Sequence, residues 1–219
     1  MQVLPSSIQL QFAPFPTECA ADGLVDLSGD EQTFAQTLKS DKRKSSFIAG
    51  RRLIRSMLAD QLAVSRPDVP LRVEPSGVVS LDATPRRFLS ISHSADEIAA
   101  AIAPFPVGID LEAVQPRRAE VWRFILHPDE YAAFHALDLP MTEKTILYWV
   151  MKESVLKGMG TGFRFSPKRL YTRLHDSLRS AIVRTDDPAH PAQTWSLFLD
   201  RRPMDWFALA WLSETDHSS

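Results

Sequence analysis

Pro106-Val-Gly-Ile-Asp-Leu-Glu112 alternates apolar Val107, Ile109 and Leu111 with Gly108, Asp110 and Glu112. A period of two is the signature of a strand, so the spacing puts Asp110 and Glu112 on one face, next-but-one neighbours. Carboxylates held that close repel unless a cation or a proton sits between them. A hard divalent ion suits such oxygen ligands, and Mg²⁺ is the usual one where phosphates complete its shell. Gly108 offers bare backbone beside the pair, where a bulky ligand can approach. The plainer alternative is a strand whose solvent face carries two acids.

A second stretch runs from Thr145 to Lys157, followed by Gly158, Gly160 and Gly162, three of the chain's eight glycines. Trp149, Glu153 and Lys157 fall at i, i+4 and i+8, one stripe of a helix, with Lys152 beside it. Ile146, Leu147, Val150, Met151 and Leu156 supply the packing surface. The glycines should stop the helix and leave backbone open to a partner or ligand. Glu153 and Lys157 can be an ordinary exposed pair. Beside the strand acids, a third carboxylate and a lysine instead suit phosphate chemistry, with metal, base and a cation for the leaving charge.

Val107-Gly-Ile-Asp-Leu-Glu112 followed by Trp149-Val-Met-Lys-Glu-Ser-Val-Leu-Lys157 resembles the 4′-phosphopantetheinyl transferases of the surfactin-synthetase-activating type. Upstream, Ser90-Ile-Ser-His-Ser94 is similar to that family's histidine motif, and Arg43-x-x-x-Phe47-x-x-Gly50-Arg51 to its arginine-bearing helix. The resemblance covers residues 43 to 163. It implies an α+β fold of two similar halves related by a pseudo-twofold, with coenzyme A bound in the cleft between them. The halves would be residues 1–105, making the coenzyme's phosphate contacts, and 106–219, carrying the metal and the catalytic helix.

The resemblance further implies Mg²⁺-dependent transfer of the 4′-phosphopantetheine arm of coenzyme A to a serine of an acyl or peptidyl carrier protein, releasing 3′,5′-ADP. Asp110, Glu112 and Glu153 would hold the metal. Glu153 and Lys157 would be catalytic, and Arg43, Arg51, Ser92, His93, Lys152 and Lys157 would contact phosphates. The family's basic residue in the loop before the histidine motif is missing, since Ser76-Gly-Val-Val79 has no such side chain. Two other classes stand beside this reading: a metal-dependent nuclease or phosphodiesterase, and a non-catalytic binding module on the same fold.

The 219 residues suffice for a full core, and 44% apolar with 24% charged residues is ordinary for a globular protein. A formal net charge of −2 gives no electrostatic footprint for nucleic acid. One cysteine, Cys19, excludes a disulfide framework. Met1 to Phe15 lacks a basic n-region and a long apolar run, and no apolar segment approaches membrane-spanning length. A cytoplasmic monomer is expected.

Periodicity predicts strands at Ser7–Phe12, Leu71–Val73, Val79–Leu81 (a hairpin about Pro75-Ser-Gly77) and Phe88–Ser94, and Ile98–Ile102, too short for periodicity to settle, is read as the return strand. It predicts four more at Arg169–Leu174, Ser180–Thr185, Trp195–Leu199 and Trp206–Leu212, before a polar, frayed end. Between Phe12 and Ser40 it predicts a loop. From Ser40 a helix presents Phe47, Ile54, Leu58 and Leu62 on one face, against Arg43, Lys44, Arg51, Arg52 and Arg55. That charged side is either solvated or a phosphate site. Short helices are expected at Val121–Leu126 and from Pro128, and Thr142 is the expected cap of the Trp149 helix. The order helix, strand pair, strand-loop-strand occurs twice, about one hundred residues apart.

Overall fold

The computed structural model describes residues 4–15, 21–73, 79–82, 86–117, 120–188 and 191–213. The turn about Pro75-Ser-Gly77, Cys19, Arg118 and the polar C-terminal end lie outside these residues. Strand β1 (Gln9–Pro14) leads through a 3₁₀ turn (Ala21–Asp26) and helix α1 (Gly29–Thr37) to the long helix α2 (Asp41–Leu62). Strands β2 (Leu71–Val73), β3 (Val79–Leu81), β4 (Phe88–His93) and β5 (Glu97–Ala103) follow. Then the plan repeats: β6 (Val107–Ala113), short helices α3 (Trp122–Ile125) and α4 (Tyr131–Ala136), and the long α5 (Met141–Gly158). Strands β7 (Leu170–Leu174), β8 (Ser180–Thr185), β9 (Thr194–Arg201) and β10 (Asp205–Leu212) complete the second unit.

The strands form two antiparallel five-stranded sheets, ordered β1-β5-β4-β3-β2 and β6-β10-β9-β8-β7. Adding five to each number of the first order produces the second. The chain is therefore two similar α+β halves, each a strand, a long helix and a four-strand meander whose last strand pairs with the first. The repeat starts one strand earlier than the helix-first pattern predicts, at β1 and β6.

Alternation along the strands sorts the core into layers. On β5, Ile98, Ala100 and Ile102 face α2, while Ala99, Ala101 and Ala103 face the second sheet. There they meet Val107, Ile109 and Leu111 of β6 and Phe207, Leu209 and Trp211 of β10. The other side of the second sheet packs on α5.

Gly108 answers a different need from the one expected of it. A Cβ there would lie 1.9 Å from the Ser154 carbonyl oxygen and 2.4 Å from the Gly158 nitrogen. Helix α5, and not a ligand, takes the bare backbone. Gly158 is equally confined, 2.5 Å from the Trp195 ring by the same construction. Beyond it, Gly160 and Gly162 have φ of 68° and 49° and turn the chain out of the helix. The expected cap, Thr142, lies inside the first turn; the N-cap position is Pro140, with no side-chain cap bond.

On the arginine side of α2, Arg51, Arg52 and Arg55 are taken up by ion pairs, while Arg43 stays exposed. Arg55 donates to Glu31 at 2.7 Å and to the carbonyls of Arg66, Pro67 and Val69. Arg52 pairs with Asp26 at 2.9 Å. Glu31 belongs to α1, which occupies part of the predicted loop and opens on a capping box of Ser28 and Glu31.

Candidate functional site

Strand β6 turns Asp110 and Glu112 toward α5, and α5 brings Glu153 and Lys157 to meet them. The close approach at Gly108 is what allows side chains of both elements to share one small volume. Asp110 is 3% exposed. Its Oδ1 accepts from Lys157 Nζ at 2.7 Å and from Ser92 Oγ at 3.0 Å. Among the described residues its Oδ2 is buried with no hydrogen-bond partner, and so is Oε1 of Glu153. Glu112 is ion-paired with Arg117, whose guanidinium also lies 5.7 Å from the centre of the Trp149 ring.

The electrostatics follow from this crowding. Burial, and then the Asp110 charge, push the Glu153 carboxyl up to about 7 against the pull of Lys157. Burial and Asp110 raise Glu112 as well, opposed by Arg117 and Lys157. Among the described residues no three Asp, Glu, His or Cys side chains stand close enough together to hold a metal ion as they are. Lys157 and Arg117 balance the acids instead. Two unpartnered buried carboxylate oxygens beside a third carboxylate are nonetheless the donor chemistry that a hard divalent cation satisfies.

The first half closes the site through β4. Strand β6 is an edge strand, and its outward amides need acceptors. Ser90 Oγ accepts from Ile109 N at 3.0 Å, and Ser92 Oγ from Leu111 N at 3.1 Å. Ser92 also accepts from Lys157 Nζ at 3.0 Å while donating to Asp110. Its one donor and two acceptor positions are therefore all used. In this arrangement Ser92 aligns Asp110 and Lys157.

His93, at the end of β4, is exposed, with its ring centre 5.6 Å from that of Phe15. Burial of part of the ring, then Lys157 and Lys42, lower its pKa, so all three face a common region. Lys42 is a residue that motif reading missed, because only the crossing of α2 over β4 brings it there. Arg43 is exposed in the first turn of α2. Arg51 is turned elsewhere: it is 8% exposed, 3.2 Å from Glu31 and over the Phe47 ring. Its assignment as a phosphate contact is corrected to a brace between α2 and α1.

Lys152 is corrected likewise. It is 1% exposed, and Nζ donates to Glu130 at 2.6 Å and to the carbonyls of Ile125, Pro167 and Leu170 at 2.7, 3.1 and 2.8 Å. Four acceptors saturate an ammonium with three N–H bonds. Burial pulls its pKa down to about 8 against Glu130. Glu130 in turn accepts from the amides of His127 and Thr172. The pair pins α5 to β7 and to the turn before α4.

Asp110, Glu112, Glu153 and Lys157 all fall within the segment, residues 106–211, that matches the model of the 4′-phosphopantetheinyl transferase superfamily. The chain is 27% identical over 140 residues to 4′-phosphopantetheinyl transferase Sfp of Bacillus subtilis (strain 168), covering 64% of this chain and 62% of that protein. A second 4′-phosphopantetheinyl transferase of Bacillus subtilis is 26% identical over 73% of this chain and 76% of its own length. HetI, a 4′-phosphopantetheinyl transferase of Nostoc sp. (strain PCC 7120), is 30% identical over 67% of this chain and 65% of its own length. The chain thus spans a little under two thirds of Sfp and of HetI. The matched segment, which holds the carboxylate–lysine cluster, and these relatives make the chain similar to the 4′-phosphopantetheinyl transferase superfamily.

Proposed function

We propose that this protein transfers 4′-phosphopantetheine from coenzyme A to a serine hydroxyl of an apo acyl or peptidyl carrier protein. The serine oxygen bonds to the phosphorus bearing the pantetheine arm, the bond from that phosphorus to the 3′,5′-ADP oxygen breaks, and 3′,5′-ADP departs. The observation that carries the reading is Glu153, a carboxyl raised to about 7 with one oxygen buried and unpartnered, one helical turn from Lys157. A base with a pKa near neutrality is suited to take the serine proton. Lys157 neutralises the departing phosphate, and Asp110 with Ser92 holds its ammonium in place. Asp110, Glu153 and Glu112 would hold Mg²⁺, which when bound neutralises charge on the pyrophosphate. His93, with Lys42 and Arg43, would meet the coenzyme's phosphates. No observation favours a nuclease or a non-catalytic module.

The carrier would approach from the side of Arg117, where Phe124, Met141 and Phe163 are 71%, 47% and 61% exposed. Phe165, two residues on from Phe163, is 6% exposed and belongs to the core. Arg164 and Lys168 remain exposed for an acidic partner, whereas Arg169 pairs with Asp187. The enzyme so read works as a monomer in the cytoplasm. Incubation with coenzyme A, Mg²⁺ and a panel of apo carrier domains should add the phosphopantetheine mass to at least one, read by intact-protein mass spectrometry. No modification of any carrier with metal present would overturn the reading.

A further inference from the structure

Helix α4, the edge strand β7 and the turn into β8 enclose a cavity of about 380 Å³, within the roughly 300–1,000 Å³ usual for small-molecule sites. None of its lining residues belongs to the cluster of Asp110, Glu112, Glu153 and Lys157. Ala133 and Ala136 leave the space open, and Leu137, Leu174, Leu178 and Tyr171 wall it. Only two lining residues are buried, Tyr148 and Thr172, and they form the floor. Thr172 is 4% exposed, and its Oγ1 has no hydrogen-bond partner among the described residues. An unmet hydroxyl of that burial is a cost that a bound group would remove. The Thr172 amide donates to Glu130 at 2.6 Å, so a carboxylate stands directly behind the floor. Burial, and then Glu130, raise the Tyr148 phenol above its ordinary range, so it stays protonated and can donate. At the mouth the charges are mixed. Arg173, His175, Asp138 and Asp176 are all exposed, and none forms an ion pair among the described residues.

We propose that this cavity binds a free α-amino acid with a hydroxyl-bearing aromatic side chain, such as tyrosine. Each part of that ligand answers a part of the cavity. With Glu130 behind the floor, an anion at the inner end would be repelled. A neutral hydroxyl there both donates and accepts, as the Thr172 and Tyr148 hydroxyls require. Between floor and mouth, leucines and tyrosines suit a flat apolar ring. At the mouth the ligand's carboxylate meets Arg173 and its ammonium meets Asp138 or Asp176. A zwitterion fits where a single charge would leave one sign unmet. The site goes beyond the transferase reading, since it needs neither metal nor coenzyme.

Calorimetry on the wild-type protein with L-tyrosine, L-phenylalanine and N-acetyl-L-tyrosinamide as probes tests this. Tyrosine should bind at one site per chain, and phenylalanine roughly three- to tenfold more weakly for want of the hydroxyl. The capped amide has neither charge and should bind roughly tenfold or more below tyrosine. Thr172→Val keeps the shape of the side chain and removes its hydroxyl. It should weaken tyrosine binding by the same roughly three- to tenfold and leave phenylalanine binding alone. Its unfolding temperature should hold or rise, because no internal hydrogen bond of the hydroxyl is lost. Ala136→Phe, at an exposed position of α4, should fill the cavity and abolish binding of every probe. No saturable binding of tyrosine would overturn the site, and so would tyrosine binding that survives Ala136→Phe. Equal affinity for tyrosine and its capped amide would overturn the assignment to a free amino acid. A Thr172→Val protein that melts lower and binds tyrosine unchanged would overturn the proposal as well.

Discussion

Glu153 carries two burdens that one substitution separates. Its carboxyl is raised from an ordinary 4.5 to about 7 by burial and by Asp110, so the folded protein holds that proton more tightly than the unfolded chain. The ionised form then destabilises the fold: stability falls as pH rises from 4.5, and the loss is complete above 7. Glu153→Gln removes the charge. The ligand-free variant should therefore melt a few degrees above wild type at pH 8, with the gap closing toward pH 4.5. Turnover should meanwhile fall about 10²–10⁴-fold, the usual contribution of a general base. A variant that melts below wild type at pH 8 would contradict the repulsive cluster. Arg117 offers a complementary test. Its pairing with Glu112 competes with any cation, so Arg117→Ala should bind Mn²⁺ several-fold more tightly in a calorimetric titration, an ion pair of this exposure being worth about 1 kcal/mol. Weaker Mn²⁺ binding would mean that Glu112 is not a ligand.

Helix α5 is held by two devices that leave different signatures when broken. Lys152→Ala would strand Glu130 in the core, a loss of about 3–5 kcal/mol for a buried pair. Coenzyme affinity of the fraction still folded should be unchanged, which a phosphate-binding lysine would not allow. Gly108→Ala would drive a methyl group into the α5 backbone, with backbone on both sides of the contact, and should cost more than the 1–3 kcal/mol usual for overpacking. Denaturant midpoints measure both. These elements also mark what was readable beforehand. The strands, α2 and α5 were legible because alternation and the 3.6-residue period report directly which face is buried. Asp110, Glu112, Glu153 and Lys157 were legible because each lies within a short motif on one element. Lys152 and Arg51 were misread because a charge on a helix does not announce its partner. Glu130 and Glu31 lie 22 and 20 residues away on other elements. The signal for α1 was present in Ser28-x-x-Glu31, a capping box that the acidic surroundings obscured. Ser90 acts across the junction between sheets and Lys42 comes near His93 only where α2 crosses β4, and no local pattern points to either.

At the scale of the whole molecule, neither half is a finished object. The inner face of β5 is alanine, and the face it covers is Val107, Ile109, Leu111, Phe207 and Leu209, all buried. The free edge of β6 depends on hydroxyls of β4 for its buried amides. Arg202 reaches from the second half to Glu97 at 2.8 Å and lies over Phe12. A half unfolding alone would expose that apolar face and orphan those amides, so the two should unfold together. The placement of the tryptophans makes this measurable, since all five, from Trp122 to Trp211, lie in the second half. Fluorescence therefore reports the second half only, while amide exchange along β4 and β5 reports the first. The two probes should give coincident urea transitions, and Ser90→Ala, which leaves the Ile109 amide without its acceptor, should shift both by about 1–3 kcal/mol. A tryptophan transition that stays put while the β4–β5 amides lose protection earlier would mean the halves fold independently. The cluster at Asp110 would then be assembled by docking of two finished domains.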